Sequence, residues 1–120
     1  MTLAVVDAGG ACLGTLDVRG DFCPEGCPPG PSGAYVVNVV VAPAHRGRGL
    51  ATQLVGAAKE YAAAALGVGR VYAHVDAVND VASQLYARCG FQPVSEEGGL
   101  AAGSAVGRRV LLRCDLPPPP

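Results

Sequence analysis

A single-domain α/β fold is expected from three features of the sequence. Short β-branched runs alternate with segments whose apolar residues recur every three or four positions, and these two periods separate strands from helices. The stretch Val39 to Ala51, VVVAPAHRGRGLA, passes from a strand through a Pro-bearing break into a glycine-rich basic turn, which opens directly into the helical segment TQLVGAAKEYAAAAL. The 120 residues can bury one core, and half of them are hydrophobic, largely Ala and Val with few aromatics. That core should therefore consist of small, closely packed side chains.

In chain order, Leu3–Val6, the turn DAGG and Ala11–Val18 read as a hairpin. Asp21–Gly33, DFCPEGCPPGPSG, is a loop by composition, too rich in breakers to pack. Its Cys23-x-x-x-Cys27 pair lacks a second Cys or His pair at zinc-site spacing, so no metal is expected. Tyr35–Val41 is the central strand, and its near-continuous valines predict burial on both faces. The following helix places Leu50, Leu54, Val55, Ala58, Ala62 and Ala65 on one face, with Gly67 as its C-cap. Arg70–Val78 is the next strand, with Val71, Ala73 and Val75 on one face and Tyr72, His74 and Asp76 on the other. Asn79 caps a short helix with Asp80 in its first turn, Val81, Leu85 and Cys89 as its buried stripe, and Gly90 as its end. Phe91–Val94 opens a strand, Glu96–Gly107 is a Gly/Ala-rich excursion, and Arg109–Leu116 is the last strand. The domain is thus read as residues 1–116, followed by an extended proline tail over 117–120.

Charge and composition exclude several classes of function. A net charge of −1 argues against a nucleic-acid or acidic-membrane partner. No run reaches the roughly 18 apolar residues of a membrane helix. The N-terminus lacks a basic region and meets Asp7 early, unlike a signal peptide. The five cysteines form an odd set, with Cys12, Cys89 and Cys114 inside expected strands or helices. That usage suits the cytoplasm or another reducing intracellular compartment better than a disulfide framework. Oligomeric state is left open.

The glycine turn carries the chemistry. Small residues let a backbone approach an anion, and the unpaired amides of a helix's first turn point at it. The helix N-terminus adds roughly 0.3–1 kcal/mol for a bound anion, and Arg46 and Arg48 add full charges nearby. A Walker A loop would need Gly-Lys-Ser/Thr where Leu50-Ala51 stand, and a dinucleotide fingerprint would need glycine in place of Thr52.

VAPAHRGRGLA resembles the cofactor-binding motif of the GNAT superfamily of N-acetyltransferases, Arg/Gln-x-x-Gly-x-Gly/Ala. About 28 residues beyond Ala51, NDVASQLYARCGF matches the family's second motif, Asn-x-x-Ala-x-x-x-Tyr-x-x-x-Gly-Phe, at every fixed position. The resemblance implies an acyl-CoA N-acyltransferase-like fold: a mixed, mostly antiparallel sheet with splayed central strands, flanked by helices. It lacks the family's usual first strand and first two helices, which normally form one wall of the acceptor groove. Gly14 stands where the family's third strand often has a glycine. Acetyl-CoA is the implied co-substrate. Backbone amides over Arg46, Gly47, Arg48, Gly49, Leu50 and Ala51 would take its pyrophosphate. Val39, Val40 and Val41 would offer backbone groups to its pantetheine arm and acetyl carbonyl, and Asn79 would both cap its helix and touch that arm.

The implied reaction is acetyl transfer to a primary amine, on a protein N-terminus, a lysine or a small molecule. An α-amino group is about 15% neutral at pH 7, whereas a lysine is neutral about once in 2,500, a cost of about 4.6 kcal/mol. Tyr86 matches the family's tyrosine beside the CoA sulfur, a general acid for the departing thiolate; packing alone is the other reading of its position. His74 stands where N-terminal acetyltransferases of this family often carry a base glutamate in Leu-Glu-Val, here Ala73-His74-Val75. Imidazole suits the same task, and a hydrogen-bonded sheet histidine is the plainer alternative. NVVVAP is also similar to the Asn-Ile-Ala-Val-x-Pro of ribosomal-protein N-terminal acetyltransferases. An N-acetyltransferase is therefore expected, with a non-catalytic CoA-binding regulatory or scaffold module as the alternative.

Overall fold

The structure, a computed structural model, describes residues 1–24, 33–98 and 108–117. Its strands are β1 (Thr2–Val6), β2 (Cys12–Phe22), β3 (Gly33–Val41), β4 (Arg70–Asp76), β5 (Gln92–Gly98) and β6 (Arg108–Asp115). Helix α1 (Leu50–Tyr61) continues into a π-helical turn at Ala62–Leu66, and α2 is Asp80–Arg88. The strands form one sheet in the order β1-β2-β3-β4-β6-β5. Only β3 and β4 run parallel, joined by the α1 crossover that parallel neighbours require. Every other pair is antiparallel, giving the expected mixed, mostly antiparallel sheet.

The first hairpin is closed by Asp7. Its Oδ1 accepts hydrogen bonds from the amides of Gly9 and Ala11, each at 2.9 Å. β2 then runs past the expected end at Val18 to Phe22, through an irregularity at Asp21 where φ is +54°. The expected loop thus begins as strand. Cys23 beyond it is disulfide-bonded, although the cysteine usage suited a reducing compartment better than a disulfide framework, while Cys12, Cys89 and Cys114 are free. Cys27, most of the Gly/Ala-rich excursion (residues 99–107) and residues 118–120 of the expected tail lie outside the described residues. No helix among the described residues is long and apolar enough to cross a membrane, and no cluster of three or more metal-ligating side chains occurs among them.

The core lies between α1 and one face of the sheet. Leu54, Val55, Ala58 and Ala62 pack against Leu16 and Val18 of β2, Ala34 and Val36 of β3, and Val71, Ala73 and Val75 of β4. Small side chains let the helix approach closely. Gly14 shows how closely, since a Cβ there would sit 2.9 Å from the Val40 carbonyl oxygen and 3.3 Å from Leu54 Cδ1. Ala65, expected on the buried face, is exposed, because the π-helical turn shifts the phase of the helix end.

Two further expectations are corrected. The central strand is not buried on both faces: Ala34 and Val36 are, but Val40 is 56% exposed, since β3 leaves its β4 neighbour beyond Val36. In α2, Val81 is 80% exposed, and the inward residue is Tyr86, with Ala82, Leu85 and Cys89 half-buried around it. The helix is rotated so that Ala82 and Tyr86, four residues apart, share the inner face.

Two glycine substitutions should move stability in opposite directions. Gly14→Ala overpacks a site bounded by backbone and should cost about 1–3 kcal/mol. Gly56→Ala, inside α1 with nothing within 4 Å of a new Cβ, should gain about 0.5–1 kcal/mol from helix propensity. Thermal denaturation of the two variants beside the parent protein checks both signs.

Candidate active site

β3 and β4 pair only near their start. Their ladder joins Ala34, Tyr35 and Val36 to Val71, Tyr72 and Ala73 and stops there. β4 continues to Asp76 against β6, and β3 continues to Val41 against β2. The strands therefore diverge into a V, which opens a cavity of about 780 Å³.

The divergence coincides with a bulge in β3. Asp17 of β2 pairs with Val37 and Thr15 pairs with Val40, so Asn38 and Val39 together oppose the single Leu16. Asn38 takes the left-handed conformation, φ +57°, that asparagine tolerates better than most residues. Its Nδ2 donates to Asp17 Oδ2 at 3.1 Å, and Thr2 Oγ1 donates to Asp17 Oδ1 at 2.6 Å. These two bonds, Thr2's first and then Asn38's, hold the Asp17 carboxyl below the usual carboxylate range.

At the open end of the V, β3 leads through a 3₁₀ turn (Pro43–His45) into the glycine turn. Arg46 Nε donates to the Val41 carbonyl at 3.2 Å, folding the turn back over the end of the strand. Gly47 and Gly49 have φ of +81° and +76°, so glycine is needed for the backbone's hand. A Cβ at either would meet nothing within 4 Å, so the space above the turn is open. Gly49 is the N-cap of α1 and no side chain caps that helix. The first intrahelical bond runs from the Gln53 amide to the Gly49 carbonyl at 3.1 Å, so the amides of Leu50, Ala51 and Thr52 precede it without an intrahelical partner. Left-handed residues flanking Arg48 and an uncapped helix start form a concavity suited to an anion.

The opposite wall is β4 with α2. Asn79 caps α2, its Oδ1 accepting from the Ala82 amide at 3.1 Å, an interaction worth about 1 kcal/mol. Tyr86 is both a core residue, 6% exposed, and a wall of the cavity. Its ring meets Phe91 edge-on at 5.1 Å between centroids. Burial, with smaller contributions from Tyr35 and Cys89, pushes its phenol up to about 12. Deeper in the V, the Tyr35 hydroxyl lies 2.8 Å from His74 Nδ1. Phe22 stacks on Tyr35 at 4.3 Å and meets His74 edge-on at 6.3 Å.

One cavity thus gathers Val39, Val40, Val41, Arg46, Gly47, Gly49, Leu50 and Ala51 with His74, Asn79 and Tyr86. Arg48 alone of the expected residues stays outside its lining; its guanidinium lies 3.4 Å from His45 Nδ1. Asn38, Thr52, Leu85 and Arg88 also line the cavity and were not anticipated. For Asn38 the signal was present, as the one polar residue inside YVVNVVV.

The acetyltransferase (GNAT) family model matches residues 2–91. A spermidine N(1)-acetyltransferase of Vibrio cholerae is 39% identical over 63 residues, 52% of this chain and 35% of that protein. Among solved structures, nourseothricin acetyltransferase superposes with a TM-score of 0.76 at 26% identity, covering 97% of this chain and 65% of that one. The NatC complex bound to Gag peptide and CoA gives 0.77 at 19% identity, covering 97% and 71%. A spermidine N-acetyltransferase variant from Vibrio cholerae gives 0.72 at 21%, covering 95% and 64%. The chain therefore spans about a third of that sequence relative's length and about two thirds of these structures. With the family model covering most of the chain, and with this sheet, turn and cavity, the protein belongs to the GNAT acetyltransferase family.

Proposed function

We propose that this chain, as one domain over residues 1–116, transfers the acetyl group of acetyl-CoA to a primary amine. The observation that carries this reading is the V between β3 and β4, with an anion-fitting turn at one end and a neutral, buried phenol in its wall. The amides of Gly47 and Gly49–Ala51, with the charge of Arg46, bind the pyrophosphate. Val39 offers backbone groups, and Val41 its amide N–H, that β4 does not use, and these pair with the amides of the pantetheine arm, while the Val41 carbonyl is held by Arg46. Asn79, its Oδ1 committed to the helix cap, keeps its NH₂ as a donor to that arm.

The chemistry needs three things: a polarised carbonyl, a proton for the thiolate, and a neutral amine. A backbone amide within Val39–Val41 supplies the first. Tyr86 supplies the second, since its raised pKa keeps the phenol protonated at any working pH. His74 serves the third. Its Nδ1 takes the amine's proton through the Tyr35 hydroxyl that touches it, or through a water in that place. Spermidine, the substrate named for the 39%-identical relative, heads the acceptors to be tried, with peptide N-termini, whose α-amino group is the more readily neutral amine, beside it.

Gly49→Val opposes a left-handed φ and fills the open approach to the turn. Acetyl-CoA binding should fall below detection by calorimetry while circular dichroism stays that of the folded chain; unchanged affinity would end this reading. Binding without turnover on any amine in the panel would instead leave a CoA-binding module.

Tyr86→Phe keeps the ring and removes the donor, so turnover should drop about 10²–10⁴-fold with acetyl-CoA affinity little changed. The same variant tests the phenol's environment. An unfolded tyrosine ionises near 10 and Tyr86 near 12, so its contribution to stability is whole below about pH 10 and is lost as pH rises to about 12. Denaturation midpoints across that window should fall more steeply in the parent protein than in Tyr86→Phe. His74→Gln should slow turnover of the amine acceptor with acetyl-CoA affinity unchanged; wild-type rates would place the base elsewhere.

A further inference from the structure

We infer that Asn38, Asp17 and Thr2 form a side-chain clamp that sets where β3 leaves β4, and so where the pantetheine-binding edge lies. The inference rests on the proposed acetyl-CoA site and names residues that position it without taking part in the transfer.

The sequence makes β3 prone to run straight. Val36, Val37, Val39, Val40 and Val41 all favour extended pairing, and nothing in their pattern asks the strand to part from a parallel neighbour. A straight β3 would extend its ladder along β4 beyond Val36↔Ala73 and close the V. The bulge prevents this. An extra residue bends a strand, sharpens its twist and ends pairing locally, and here it falls at Asn38–Val39, just past the last β3/β4 pair.

A left-handed residue in a run of valines needs support, and Asp17 supplies it. Strand alternation puts Leu16 and Val18 under α1 and turns Asp17 to the other face. There its two carboxylate oxygens are divided between two strands, with Thr2 of β1 on one and Asn38 of β3 on the other. A carboxylate with both oxygens occupied has little freedom to turn, and charge-assisted bonds of this kind are stronger than neutral ones. The clamp therefore ties the bulge to the β1–β2 hairpin, on the side of β3 away from the gap. β3 stays registered with β2 on both sides of the bulge, at Val37↔Asp17 and Val40↔Thr15, while its other edge swings free.

Asn38 thus carries two separable properties, a left-handed backbone and an amide donor to Asp17. Asn38→Gly keeps the first and loses the second. Asn38→Val loses both, and Asp17→Ala removes the acceptor. Calorimetric titration with CoA, at a temperature where circular dichroism reports each variant folded, should show about 3–10-fold weaker binding for Asn38→Gly and for Asp17→Ala, and more than about 30-fold for Asn38→Val. The exchange Asp17→Asn with Asn38→Asp restores a donor facing an acceptor and leaves an oxygen for Thr2, so affinity should return to within about 2-fold of the parent protein. A purely stabilising role would lower melting temperatures and leave the CoA affinity of the folded variants unchanged, which would overturn the inference. So would an exchange variant no better than Asp17→Ala. If the parent protein itself binds no CoA, the failure is that of the proposed function.

Discussion

The structure depends on an unfinished ladder. A parallel pair of strands is normally hydrogen-bonded along its length, because unpaired backbone groups inside a sheet are costly. Here the pairing of β3 and β4 ends at Val36↔Ala73 with five residues of β3 still to come. Each strand keeps its outer partner, β2 on one side and β6 on the other, so the sheet remains one sheet at its base and becomes two at its top. The cavity, the exposure of Val40, and the placing of the glycine turn opposite α2 all follow from that split.

Two kinds of residue maintain it. Small side chains bring α1 down onto β2, as Gly14 does by leaving no room between itself, Val40 and Leu54. Polar side chains hold features that apolar packing alone would not specify: Asp7 the first turn, Asn79 the start of α2, and Asp17 the bulge. The chain's single lysine belongs with these. Lys59 of α1 donates at 2.8 Å to the Cys89 carbonyl at the end of α2, tying together the two helices that border the cavity.

Much of this was legible in the sequence because its signals are local. Gly47 and Gly49 mark left-handed positions, Asn79 and Asp80 mark a helix start, and the alternation in β4 separates Val71, Ala73 and Val75 from Tyr72 and His74. What escaped was set by partners distant in sequence. The valines of β3 read as doubly buried because nothing local shows that β4 departs. Val81 read as inward because a three- or four-residue spacing leaves the rotation of a nine-residue helix open. The meeting of Tyr35 with His74, 39 residues apart, arises from the β3/β4 register, which the spacing of residues along the chain does not encode.

The open edge of β3 has a consequence for handling the protein. Sheets ordinarily keep exposed, valine-rich edges short or cover them, since any extended chain can dock there. This fold carries such an edge in its interior, with Val40 largely exposed beside it. The gap is a template for the strand of a neighbouring molecule or a partly unfolded copy. A ligand that fills the V therefore removes a route to self-association as well as adding binding energy.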